Sequence, residues 1–365
     1  MFKLHLPRIL LISVIAFSAS SLLADEKGPE TGTVIGKHIF GLARDFQQDP
    51  VMLNESPLIY PHADHSFNLS IDETAFEIAL FNGDIASAYL TELAGENSQP
   101  IDTKAIDIGP VGGAHSIGSA IKSAWDTVLF TESSVVNAQE WSTFKTQFMA
   151  YFKNKVDMLK PYQYGWLNEI ILLDSKGSAK VIKNFVAGRT FATSIIAMPD
   201  AKTFYFHDST HSGNLYLFIA DEPNSFAKGT LYAMPADQNA EPLELGSASA
   251  LKMKFKLRKS SFEDFFKRSD VRDGACQSNF TYIKTVYGEE CLNIQKKNRK
   301  YVGQFEPIRS AAIQGVKPFS SIGSKIVYER NNSVIKVIHN GDQSRRYLLV
   351  PSKTLGTQYL ITQEG

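Results

Sequence analysis

Short apolar or alternating runs, each closed by turn-forming residues, recur along most of this chain. Ala88 to Leu93, Thr127 to Thr131, Glu169 to Leu173, Ala179 to Phe185, Thr203 to His207, Asn214 to Ile219 and Gly229 to Met234 are of this kind. Between such runs stand Asp174-Ser-Lys-Gly, Pro199-Asp-Ala-Lys, Asn331-Asn332 and Asn340-Gly341-Asp342, whose side chains and backbone freedom suit tight turns. Hairpin following hairpin predicts a mainly antiparallel β domain. One segment departs from this, because Trp141, Phe144, Phe148, Phe152, Val156 and Leu159 recur at three- and four-residue steps. That period predicts an amphipathic helix packed on the sheet, with Asn137 and Glu140 suiting its start. A second short helix is expected over Phe262 to Lys267. Lys252, Lys254, Lys256 and Arg258 alternate with Met253, Phe255 and Leu257, which predicts a strand with one basic and one buried face. The basic run from Lys296 to Lys300 reads as a solvated surface segment.

Meanders spread over residues 66–365 fit a β-propeller, since radial repetition limits exposed sheet edges. Two stacked β-sandwich domains are the alternative. Residues 258–304 interrupt the regular succession and read as an insertion, while 25–65, rich in Pro, Asp and Gly, read as an irregular lead-in.

The first 24 residues are different in kind. Lys3 and Arg8 precede an apolar run from Ile9 to Leu23, and Ala24 stands before Asp25 and Glu26. This is a Sec-type signal-peptide layout, with no twin-arginine pair, and it places the mature protein in the periplasm or outside the cell. The apolar run is too short for a membrane span, so none is expected once the leader is removed. Removing 24 of 365 residues leaves 341, ample for a large core. The 38 basic and 38 acidic side chains cancel, which argues against a broad nucleic-acid surface and leaves local patches to meet any charged ligand. Of the two cysteines, Cys276 and Cys291, an exported chain makes a disulfide the leading reading, and a free or metal-bound thiolate the lesser one.

Three stretches carry a family resemblance: Trp125-Asp-Thr-Val-Leu-Phe-Thr-Glu132, then Tyr164-Gly-Trp-Leu-Asn-Glu169, then Gly188-Arg189 followed by Phe206-His-Asp208 and Gly213-Asn-Leu-Tyr-Leu-Phe218. In order and spacing, 123–221 resembles the PhoX-type alkaline phosphatases, a family of six-bladed propellers. The resemblance implies hydrolysis of small phosphate esters at a cluster of iron and calcium ions that polarises the phosphoryl oxygens. It also implies Glu132 and Asp208 as metal ligands, with a surface carboxylate pair or a turn-capping Asp as the alternative. Arg189 is implied either as the phosphate clamp, whose planar fork suits that group, or as the partner of a core-edge carboxylate.

The ligand set is incomplete. Thr131, Glu132 and Ser133 stand where the family strand carries a cysteine and two glutamates, and Ala192 and Thr193 replace a histidine-glutamate pair. A second aspartate is replaced by Ser209, and an arginine-proline-glutamate element survives only as Phe305-Glu306-Pro307, out of order. Calcium remains an expected ion, whereas iron is disfavoured by the lost thiolate. His207 and His211 flank Asp208 closely enough to join it on a metal, or to belong to an ordinary hydrated loop. Two functions follow: an exported phosphoesterase with a reduced metal site, or a non-catalytic propeller that binds a ligand or an envelope protein.

Overall fold

The computed structural model describes residues 63–364 except 84, 95–98, 143–158, 209–212, 237–240, 320–323, 330–333, 339–343 and 352–357. The signal peptide, nearly all of the lead-in, His211, most of the expected long helix and the two late asparagine turns lie outside the described residues. The described chain is built on five antiparallel sheets.

The first sheet is a meander of β1 (His65–Ile71), β2 (Thr74–Phe81), β3 (Ser87–Ala94) and β4 (Gln99–Ala105). The second repeats the plan with β5 (Ile117–Lys122), β6 (Val128–Glu132), β7 (Leu167–Leu172) and β8 (Ala179–Lys183). A third comprises β9 (Ser194–Ala197), β10 (Thr203–Asp208), β11 (Asn214–Ala220), β12 (Lys228–Met234) and β13 (Leu243–Ser249). A smaller sheet of β14 (Phe266–Ser269), β15 (Thr281–Thr285) and β16 (Gly288–Ile294) follows, ordered β14-β16-β15. The last is again a four-strand meander, β17 (Lys325–Glu329), β18 (Val334–Ile338), β19 (Ser344–Pro351) and β20 (Gln358–Glu364).

Side-chain alternation explains how these sheets stack. On β10, Phe204 and Phe206 enter one core and Tyr205 another; on β11, Tyr216 and Phe218 part in the same way from Leu215 and Leu217. On β6, Leu129 joins the core shared with the third sheet, whereas Val128 and Phe130 pack toward the first. Strands covered on both faces lose the apolar-in, polar-out pattern, and for this reason β10 and β11 read as nearly continuous apolar runs. Each fully buried side chain of this kind contributes roughly 1.5 to 3 kcal/mol. The leading strands touch in succession, β1 against β5, β5 against β9 and β9 against β17. Meander sheets packed face to face with neighbouring first strands make this an all-β, propeller-like fold. The approach of β5 to the chain before β9 is close: a Cβ added at Gly118 would sit 2.2 Å from the Ala192 carbonyl oxygen.

Two local expectations are corrected. Residues 252–258 do not alternate on a strand; Ala250–Leu257 is a helix, α1. Met253 and Leu257, four apart, are its buried pair, and Phe255 is exposed. Alternation with lysine mimicked a strand because the apolar residues also occur at helical spacing. At 262–267 the helix is only a 3-10 turn, Phe262–Asp264, closed by a Ser261/Asp264 capping box before β14 begins. Two further helices, α2 (Arg299–Phe305) and α3 (Pro307–Ile313), follow β16. Cys276 and Cys291 form a disulfide with Cα atoms 5.6 Å apart, tying the loop before β15 to β16.

Candidate functional site

Glu132, the last residue of β6, is 1 % exposed. One carboxylate oxygen accepts the His115 amide at 2.9 Å and the Lys183 ammonium at 3.0 Å. The other accepts the amides of Gly165 at 2.9 Å and Trp166 at 3.0 Å. Lys183, the last residue of β8, also donates to the Gln163 carbonyl and lies 4.6 Å from the Tyr164 ring centre. Burial lowers the Lys183 pKa, and Glu132 opposes that shift. The residue expected as a metal ligand thus already carries four donors and fastens β6, β8 and the 163–166 segment together. Gly165 is required here, since its φ is +98° and a Cβ would meet the Phe191 ring at 2.3 Å.

Arg189 lies beyond the 3-10 turn Phe185–Ala187 and is fully buried. Its Nε donates to the Tyr164 carbonyl at 2.7 Å, and one terminal nitrogen, Nη2, donates to the Val136 carbonyl. The guanidinium stacks 4.5 Å from the Phe191 ring centre and 5.2 Å from that of Tyr162. Its other terminal nitrogen, Nη1, has no hydrogen-bond partner among the described residues.

A second buried guanidinium stands close by, and sequence reading missed it. Arg309 of α3 makes two bonds to Glu290 of β16, at 2.8 and 3.0 Å, and one to Glu306 at 2.8 Å. It also donates to Asn137, the neighbour of the residue that receives Arg189, so one short segment holds both arginines. The Arg309 guanidinium lies 3.8 and 4.9 Å from the ring centres of Tyr287 and Phe262. Burial works against its charge, but the Glu306 and Glu290 carboxylates outweigh that and hold its pKa above the ordinary value. The available signal was the Glu306/Arg309 spacing, three apart at a helix start led by Pro307. The pairing with Glu290 comes from β16 and has no local signature.

Tyrosines line the same region. The Tyr162 hydroxyl lies beside Glu306 outside hydrogen-bond geometry, and burial, then that carboxylate, pushes its pKa well up. Burial also raises Tyr287, followed by Glu306, with Arg189, Arg309 and Asp208 within electrostatic reach. Tyr216 is raised by burial and then by Asp208. Asp208 and His207, at the end of β10, are both fully buried. The structure therefore commits Glu132 to Lys183 and three backbone amides, and anchors Arg189 on the Tyr164 carbonyl, beside that clamp.

Among the described residues the donor set does not fit an iron-calcium cluster. Glu132 has no oxygen left without a donor, and among the described residues no three His, Cys, Asp or Glu side chains are grouped to hold a metal ion. Both cysteines are in the disulfide.

No family model matches the chain, and no curated protein matches it. Among solved structures it is similar to PhoX of Pseudomonas fluorescens in complex with vanadate, a transition-state analogue. That likeness has 12 % identity over 83 % of this chain and 66 % of that one, with a TM-score of 0.39. It is also similar to a putative 6-phosphogluconolactonase of Bacteroides fragilis, at 9 % identity over 80 % and 68 % of the two chains and a TM-score of 0.25. A putative 6-phosphogluconolactonase of Bacteroides uniformis gives 9 % identity over 79 % and 80 %, with a TM-score of 0.22. The chain spans just under two thirds of PhoX, and likenesses this low in identity and score carry no functional argument.

Proposed function

We propose that this chain is an exported, PhoX-like propeller that binds a small phosphate ester, with Arg189 gripping the phosphoryl group. The observation that carries this reading is the state of the Arg189 guanidinium. It is fully buried, its bonds run to neutral carbonyls, and Nη1 has no partner among the described residues. A buried cation whose nearest partners are uncharged favours an anion strongly, and a planar fork favours phosphate or carboxylate. Glu306 Oε1 also lacks a partner among the described residues, and both groups act on Tyr162 and Tyr287. A monoprotonated phosphate ester matches such a pair, offering P–O⁻ to Arg189 and P–OH to Glu306. The ordered Trp125, Tyr164 and Gly188-Arg189 stretches support the same ligand class through the family resemblance.

Hydrolysis of the bound ester is a second reading, for which Asp208, buried at the end of β10, is the candidate carboxylate. Titration calorimetry with phenyl phosphate, run beside a phenol-release assay with calcium and iron added, separates the two. Binding without turnover is the expected outcome. Arg189→Met should weaken binding on the order of a hundredfold, the scale of a lost charge-assisted contact to a buried group. If phenyl phosphate shows no saturable binding to the wild type, the proposal is wrong.

A further inference from the structure

The two basic runs, 252–259 and 296–300, lie far apart in sequence but share one surface. Lys256 of α1 donates to Asn298 Oδ1 at 2.7 Å, and the ammonium groups of Lys256 and Lys300 lie 5.4 and 5.0 Å from the centre of one Tyr301 ring. The other basic side chains of both runs are exposed. No acidic residue occurs between Glu244 and Glu263, nor between Cys291 and Glu306. Glu263 stands at the edge, and Asp264 is occupied in capping Ser261. In a chain with no net charge, this is a strongly cationic face.

Amid those lysines α1 turns two large apolar side chains outward. Leu251 is 66 % exposed and Phe255 59 %, one helical turn apart, while Met253 and Leu257 anchor the opposite side in the core. A polyanion such as nucleic acid is met by lysines alone and gains little from a protruding leucine and phenylalanine. An anionic bilayer uses both, because lysines meet the headgroups while apolar side chains enter the boundary below them.

We propose that this face, α1 with the 296–300 segment, docks the protein peripherally on an anionic phospholipid surface. Co-sedimentation of the mature chain, residues 25–365, with vesicles tests it. Phosphatidylcholine with about a third phosphatidylglycerol should bind at least about tenfold tighter than phosphatidylcholine alone, and the difference should shrink with added salt. Lys252→Glu with Lys254→Glu should remove the preference. Leu251→Ser with Phe255→Ser should weaken binding to the anionic vesicles roughly tenfold. All four residues are exposed, so both variants should keep the wild-type circular dichroism and melting point. Equal binding to both vesicle types overturns the proposal, as does anionic binding that survives Leu251→Ser with Phe255→Ser.

Discussion

The Lys183 ammonium meets the Glu132 carboxylate at 3.0 Å with both side chains sealed from solvent, and three backbone amides complete the carboxylate's shell. Removing one partner of such a pair strands a buried charge, which costs more than the pair itself contributes. Glu132→Gln and Lys183→Met should each lower unfolding stability by about 3 to 5 kcal/mol. The double variant Glu132→Leu with Lys183→Met should lose less than the sum of the single changes. Urea unfolding in the presence of a chelator checks this, and an unchanged midpoint for Glu132→Gln would remove the clamp.

Gly165 contributes to that clamp through its amide, in a backbone region closed to other residues. Gly165→Ala forces a methyl group into the Phe191 ring, on which Arg189 stacks. A stability loss of about 1 to 3 kcal/mol is expected, with weaker phenyl phosphate binding from the displaced ring. Thermal melts and calorimetry on the same sample read both effects.

The Cys276–Cys291 bond spans 15 residues, and Cys291 adjoins Glu290, which holds Arg309. Closing a loop of this length contributes about 3 kcal/mol through the unfolded chain. Cys276→Ser with Cys291→Ser should lose that stability and loosen Arg309, seen as faster amide exchange in β16 and α3. Equal urea midpoints for oxidised and reduced protein would contradict it.

Alkaline pH should unfold the protein. Burial pushes Tyr89 up to about 12, and it raises Tyr162, Tyr205, Tyr216 and Tyr287 as well. These tyrosines keep their protons in the fold while the unfolded chain ionises near 10, so the stabilisation is complete below that pH and is lost above it. Tyr89 alone accounts for roughly 2 to 3 kcal/mol across that window. Tyrosinate absorbance should therefore rise together with loss of structure above about pH 10. Titration of these side chains in a still-folded protein would refute the burial argument.

Strands such as β10 and β11 were legible because a short, nearly continuous apolar run bounded by turn residues is a signal that the segment carries by itself. Helix α1 was misread because a short run of lysines alternating with apolar residues satisfies both periods, and 262–267 because a capped first turn resembles a helix start whether or not the helix continues. Arg189 was singled out through the family resemblance of the Gly188-Arg189 pair, and its burial came only with the structure; Arg309 carried no such signal, because its partner Glu290 comes from another element.

The meander pairing of most strands and the cysteine pair were determined by the sequence itself, through contacts between residues close along the chain, whereas β14 pairs with β16 rather than with β15. Tertiary structure alone decided that Glu132 would serve Lys183, 51 residues away, and that two basic runs would meet at Tyr301. Both outcomes depend on which sheets and helices pack together. The counter-charge that Glu132 finds in Lys183 is set by the stacking of whole elements, which no local pattern encodes.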